Sequence, residues 1–303
     1  MKVTIVGLGL IGGSIARDLR ASGFATDLVG LDLNPVNAAR AIELGLVDRI
    51  EPEDVALTTS DVVVLSIPVG ATCALLPSIL DVVEKKRTIV IDVGSTKAQI
   101  CKAASGHQNR GHFVAAHPLA GTENSGPDAA LTGLFKGKIN IICERDLSAG
   151  FALEVALKMF DAIGVKTIFM EAEEHDRHVA YVSHLSHVSS FLLGQTVLDI
   201  EKDEKNIFAL ASTGFASTVR LAKSSPDTWA PIFEQNSEYL SQALLEYIMH
   251  LQKFHYHLVK HDSKELHRIL VRANEIRRVL EGIELKNEKN GNAGSVPAKT
   301  LNH

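Results

Sequence analysis

At 303 residues the chain is long enough for two domains and a sizeable core. Its 46% hydrophobic and 22% charged residues are ordinary for a soluble globular protein, and a formal charge of −5 argues against a general nucleic-acid binder. No stretch is long and apolar enough to span a membrane. Three scattered cysteines, Cys73, Cys101 and Cys143, form no CxxC pair and fit reduced thiols in a cytoplasmic protein.

The apolar first fifteen residues, about the length of a signal peptide, carry glycines and run into a nucleotide fingerprint, so they read as mature structure. Residues 2–6, Lys-Val-Thr-Ile-Val, are a short β-branched run and predict a buried strand. Gly7-Leu8-Gly9-Leu10-Ile11-Gly12-Gly13-Ser14 follows, then a helical pattern to Gly23, then a strand over 27–31 ending in Asp32. Strand, G-x-G-x-x-G, helix, strand and acid stand in the order of a dinucleotide-binding fingerprint. Gly7 permits the tight turn, Gly9 lets the backbone approach a pyrophosphate, and Gly12 lets helix and strand pack closely. Leu10 and Ile11 open the helix whose free N–H groups would carry the phosphates. Asp32 lies about twenty residues past Gly12, where a carboxylate accepts ribose hydroxyls and repels a 2′-phosphate. No arginine follows it directly, so NAD is expected over NADP.

Apolar strands continue over 62–67, 88–92, 113–116, 139–143 and 166–169, with a helix over 148–163. Near-continuous apolar strands between helices predict a mainly parallel sheet covered on both faces. Ligands of such sheets lie beyond the strands' carboxyl ends, where Ser66, Gly94-Ser95 and His117-Pro118 all fall. The first 170 residues therefore read as an α/β Rossmann-type dinucleotide-binding domain.

From Glu171 the strand signals stop, and residues 171–283 read as an all-α substrate-binding and dimerisation domain. Helices are expected over about 172–203 and 206–223, from Ser225-Pro226 as far as 261, and from Asp262-Ser263 to about 280. Leu240, Leu244, Leu245, Ile248, Met249 and Leu251 spread widely around their helix, which suits burial from more than one side. A homodimer sharing these helices is expected; a thicker monomeric bundle is the alternative. Residues 284–303 lack periodicity and are expected to form a disordered tail.

His117 stands just past an apolar strand in His117-Pro118-Leu119-Ala120-Gly121, where a catalytic acid/base would be needed. His175, His178, His184 and His187 fall in pairs three apart, each pair on one helix face. No carboxylate or cysteine completes a metal-ligand pattern with them, so no metal is expected. His175 and His178, among acids, read as solvated. His184 and His187 have apolar neighbours and need partners: a substrate anion and a backbone hydrogen bond both remain open. Arg220, in Gly214-Phe215-Ala216-Ser217-Thr218-Val219-Arg220, is either a surface side chain or a carboxylate clamp. Trp229 and Asn236 fit interface packing equally well.

The glycine turn, Asp92-Val93-Gly94-Ser95-Thr96-Lys97, His117 to Gly126, Ser183-His184-Leu185-Ser186-His187 and the arginine helix with Trp229 and Asn236 occur in that order. In this the chain resembles the prephenate/arogenate dehydrogenase family of tyrosine biosynthesis, over nearly its whole length to about Gly282. One departure is Ser186, where the family's usual motif has proline. Too few residues remain for the C-terminal ACT domain that some members carry. The resemblance implies NAD-dependent oxidative decarboxylation of prephenate to 4-hydroxyphenylpyruvate and CO2. It implies that His117 accepts the proton of the substrate's C4 hydroxyl, that Ser95 fixes the geometry beside it, and that Arg220 clamps a carboxylate. His184 and His187 would line the pocket with Thr122 and Glu123, while Ser66 and Lys97 would lie toward the cofactor. The segment 187–191 supplies no carboxylate for the ammonium of arogenate, which favours prephenate; Glu123 weighs the other way.

Two rivals remain at this stage. A hydroxyacid or imine reductase would share both halves, but the hydroxyacid type usually carries a catalytic lysine on a helix that here has none over 171–200. A catalytically silent NAD-binding dimer would not need His117, Ser95 and Arg220 together in their motifs.

Overall fold

The computed structural model describes residues 1–83, 88–203 and 207–282. The tail expected over 284–303 lies outside the described residues. Eight strands form one sheet: β1 (Lys2–Val6), β2 (Asp27–Leu31), β3 (Arg49–Ile50), β4 (Val62–Leu65), β5 (Ile89–Asp92), β6 (Phe113–Pro118), β7 (Ile139–Cys143) and β8 (Lys166–Met170). Their spatial order is β3-β2-β1-β4-β5-β6-β7-β8. The first six strands run parallel; β7 lies antiparallel to β6, with Ile141 opposite His117, and β8 runs parallel to β7, so the last two strands point the other way. The two-residue β3 on the edge is too short to leave a periodic signal and is absent from the sequence reading.

The helices between the strands are α1 (Leu10–Ala21), α2 (Pro35–Glu43), α3 (Glu53–Thr59), α4 (Val69–Val83), α5 (Ala98–Ala104) and α6 (Gly150–Ala162). Alternate strand residues feed two cores. Ile5, Val64, Ile91 and Val114 pack with Ile15 and Leu19 of α1 and Met159 and Phe160 of α6. Val63, Leu65, Val90 and Ala115 pack on the other side with Leu76, Ile79 and Leu80 of α4 and Ile100 of α5. Every residue of β4 and β5 is buried, which is why their sequences read as unbroken apolar runs.

The later helices are α7 (Ala172–Val179), α8 (Leu185–Asp203), α9 (Thr213–Thr218), α10 (Pro226–Gln235), α11 (Ser237–Val259) and α12 (Ser263–Ala273). They correct the long spans expected from sequence. The span 172–203 is interrupted by a π-helical turn over Ala180–His184. The span 206–223 breaks into 3-10 turns at Phe208–Leu210 and Arg220–Lys223 around a six-residue α9. The helix beginning at Pro226 stops at Asn236, whose backbone leaves the helical region at φ −104° and ψ 24°. The last helix begins as expected, with the Asp262 side chain accepting the Glu265 N–H.

Ala172 of α7 and Ile232 of α10 join the second core of the sheet. Strand signals end at β8, yet backbone packing divides the chain further on: one compact unit is Met1–Ser241 and the second begins at Gln242. Among the described residues no helix is long and apolar enough to cross a membrane.

Candidate active site

A cleft of about 830 Å³ opens along the carboxyl ends of β1, β2, β4 and β5. Its lining includes Gly7, Gly9, Leu10, Ile11, Asp32, Ser66, Gly94, Ser95, Thr122, Glu123 and Trp229. Gly7 takes φ +91°, a left-handed value that suits glycine. A Cβ on Gly12 would collide with the Gly7 carbonyl and Ser66 Oγ, whereas one on Gly9 would meet nothing within 4 Å. The turn is thus closed on its strand side and open on its cleft side, just where α1 presents its unpaired N–H groups. Asp32 is held at the tip of β2 by the Leu8 and Asn34 N–H groups, at 2.8 and 2.9 Å. Asp32, Glu53 and Glu123 are on the lining, and among the described residues no lysine or arginine is. An open glycine cradle, a helix N-terminus and a fixed ribose-side carboxylate fit a dinucleotide, and the missing cation fits one without a 2′-phosphate.

Two residues expected at the cofactor make hydrogen bonds within the protein. The Ser66 hydroxyl lies 2.9 and 2.7 Å from the Val6 and Gly7 carbonyls, to which it donates, so it shapes the turn from behind. Lys97 is fully buried and off the lining. Its ammonium pairs with Asp92 and donates to the Ala116 carbonyl at 2.6 Å. Asp92 also accepts the N–H groups of Gly94 and Ala116. This buried pair therefore ties the end of β5, carrying Ser95, to the end of β6, carrying His117.

His117 is half-buried, and its Nδ1 lies 2.8 Å from Nε2 of His175. His175 Nδ1 lies 2.8 Å from Asp176 Oδ1, and the Asp176 carboxylate accepts the N–H groups of Lys97 and Ala98 at the start of α5. His175 is fully buried, which corrects its reading as a solvated residue; His178 is exposed. Burial, then the neighbouring His175, holds His117 well below the usual imidazole range of about 6.5. Burial likewise lowers His175, opposed by Asp176.

The helical wall is organised around Trp229. His187 stacks on its ring with centroids 3.4 Å apart, and His184 meets it edge-on at 5.9 Å. Asn236 Nδ2 donates to the Asp176 carbonyl at 2.8 Å and lies 3.0 Å from His184 Nδ1. Burial lowers His184 to about 4. Arg220 is half exposed and donates to Glu123 on the cleft loop at 2.9 Å, across 97 residues of sequence. His117, His184, His187 and Arg220 are not themselves on the cleft lining. His184 and His187 touch it through Trp229, and Arg220 through Glu123.

The sequence reading passed over His175 and Asp176. Their signal was present: Ala172, His175, Asp176, Val179 and Ala180 are all buried on one helical face. The flanking glutamates masked it.

Fold and site together define an NAD-dependent dehydrogenase, with a dinucleotide cleft beside a buried histidine cluster. Residues 15–169 match the family model described as prephenate dehydrogenase, nucleotide-binding domain, and residues 171–272 match its dimerization domain. A prephenate dehydrogenase of Bacillus subtilis is 29% identical over 98% of this chain and 79% of its own length. The crystal structure of an Aquifex aeolicus prephenate dehydrogenase with hydroxyphenyl propionate and NAD+ is 29% identical, with a TM-score of 0.82 over 92% of this chain and 98% of that one. A Synechocystis arogenate dehydrogenase is also 29% identical, with a TM-score of 0.72 over 92% of this chain and all of that one. The chain belongs to the prephenate dehydrogenase family.

Proposed function

We propose that the chain oxidatively decarboxylates prephenate to 4-hydroxyphenylpyruvate and CO2, with Gly7, Gly9, Leu10, Ile11, Gly12 and Asp32 holding NAD. The observation that carries this reading is the Arg220–Glu123 ion pair. It ties an arginine suited to clamp a ring carboxylate to the loop that follows His117. When bound, NAD supplies a nicotinamide that accepts a hydride from C4 of the substrate.

His117 takes the proton of the C4 hydroxyl as that carbon is oxidised. It returns the proton to the ring oxygen after CO2 leaves and the ring becomes aromatic. A base must be neutral beforehand, and burial keeps His117 neutral at pH 7. Arg220 exchanges Glu123 for a substrate carboxylate, a planar pairing that lysine would not reproduce. Ser95, on the lining at the end of β5, orients the hydroxyl, and the His187–Trp229 stack forms an apolar wall against the ring. Thr122 and His184 complete the polar contacts. The functional domains assigned are 1–170 for cofactor and 171–283 for substrate and dimerisation, and the homodimer forms through the C-terminal helices.

Arogenate is a second reading, favoured by Glu123 on the lining, which would pair with its ammonium. The test of His117 is His117→Asn with NAD and prephenate. Loss of a general base lowers kcat about 10²- to 10⁴-fold, with NAD binding retained. A variant turning over at the wild-type rate contradicts the assignment.

A further inference from the structure

Building on the reading of His117 as the base, we propose that Asp176 is a positioning residue that fixes opposite tautomers in two histidines. His117 carries its proton on Nδ1 and offers the Nε2 lone pair, while His184 carries its proton on Nε2. One residue thereby prepares an acceptor for the substrate hydroxyl and a donor for a substrate anion.

The first branch runs through the carboxylate. Lys97 N and Ala98 N lie 2.7 and 2.9 Å from its two oxygens and can only donate, so both oxygens act as acceptors. The 2.8 Å contact from His175 Nδ1 to Oδ1 is therefore an N–H donating to the carboxylate. Burial keeps His175 from gaining a second proton, so its Nε2 holds a lone pair. That nitrogen lies 2.8 Å from His117 Nδ1, and the bond exists only if His117 Nδ1 carries the hydrogen. A neutral His117 then has its lone pair on Nε2, which no hydrogen bond from the described residues occupies.

The second branch runs through the backbone carbonyl of the same residue. The Asp176 carbonyl accepts only a donor, so the Asn236 atom 2.8 Å away is the amide nitrogen, whichever way the amide is first drawn. The same nitrogen lies 3.0 Å from His184 Nδ1. Nδ1 is thus the acceptor, and the neutral ring carries its hydrogen on Nε2. In each ring the partner of one nitrogen dictates the state of the other.

The test is two-bond 1H–15N spectroscopy of the 15N-histidine-labelled full chain with NAD bound, at pH 7.5. The wild type is expected to show His117 protonated on Nδ1 and His184 on Nε2. In His175→Phe, His117 should switch to Nε2–H with His184 unchanged. kcat should fall about 100-fold, the scale of a misplaced general base, at unchanged KM for NAD. His175→Gln should rescue both, because its amide can accept from His117 and donate to Asp176 with nearly the spacing of an imidazole. Asn236→Leu should release the tautomer of His184 alone. A wild-type His117 protonated on Nε2, or a His175→Phe variant with unchanged tautomer and kcat, overturns the proposal. The wild-type tautomers are read without turnover. If they are as assigned but neither prephenate nor arogenate is oxidised, the network stands and the proposed function fails.

Discussion

An imidazole packed beside other imidazoles is kept neutral by its surroundings, and stability has to reflect that. His117, His175, His184 and His187 are all lowered, chiefly by burial. The unfolded chain binds protons at these positions from about pH 6.5 downward, while the folded chain resists them. Their contribution is therefore complete above pH 6.5 and is lost as pH falls toward the folded values, which for His184 is about 4. Within that window His184 alone costs about 1.4 kcal/mol per pH unit. Urea midpoints should fall steadily between pH 7 and pH 5, before most carboxylates titrate, and a level profile there would contradict the burial of these rings. The same burial explains what the sequence hid. Residue type and local acids placed His175 in water; only its helical phase with Ala172, Asp176 and Val179 says otherwise. Lys97 carries no such signal. A lysine in a Gly-Ser-Thr-Lys turn reads as an anion contact until the partner from β5, Asp92, is seen beneath it.

At the scale of elements, the strands and the glycine turn were legible because each follows from short-range rules: β-branched apolar runs, and glycines where a Cβ cannot fit. The helices after Met170 were legible in type and mistaken in extent. Periodicity does not register a π turn at Ala180–His184, nor a break at Asn236 whose side chain is claimed by the Asp176 carbonyl and His184. Helix α11 leaves Leu245, Ile248, Met249 and Leu251 between 38% and 60% exposed, an apolar stretch that suits the dimer assigned to this region. Leu245 and Met249, four residues apart, share a face. Each large apolar side chain covered at an interface is worth about 1.5–3 kcal/mol. Leu245→Glu with Met249→Glu should therefore halve the mass seen by light scattering at micromolar concentration. An unchanged dimer mass would move the interface elsewhere.

For the molecule as a whole, the strand order brings the ends of β1, β2, β4 and β5 to one cleft, with β6 and His117 next in the sheet. Alternating strands and helices announced that rim. The approach of Arg220, Trp229 and Asn236 to it was not announced, because those contacts are long-range in sequence, up to 97 residues for Arg220 and Glu123, and depend on helices whose breaks the sequence conceals. The substrate is the remaining decision. Arg220 suits a carboxylate, whereas the acidic lining at Glu123 suits an ammonium, and the ion pair between them holds both options in one place. The most direct measurement is NADH formation by the wild-type chain with NAD, offered prephenate and arogenate separately at matched concentrations. Turnover with prephenate, exceeding that with arogenate, is expected. Turnover with arogenate alone would contradict the prephenate assignment while keeping the chemistry, and no NADH from either would contradict the proposed function itself.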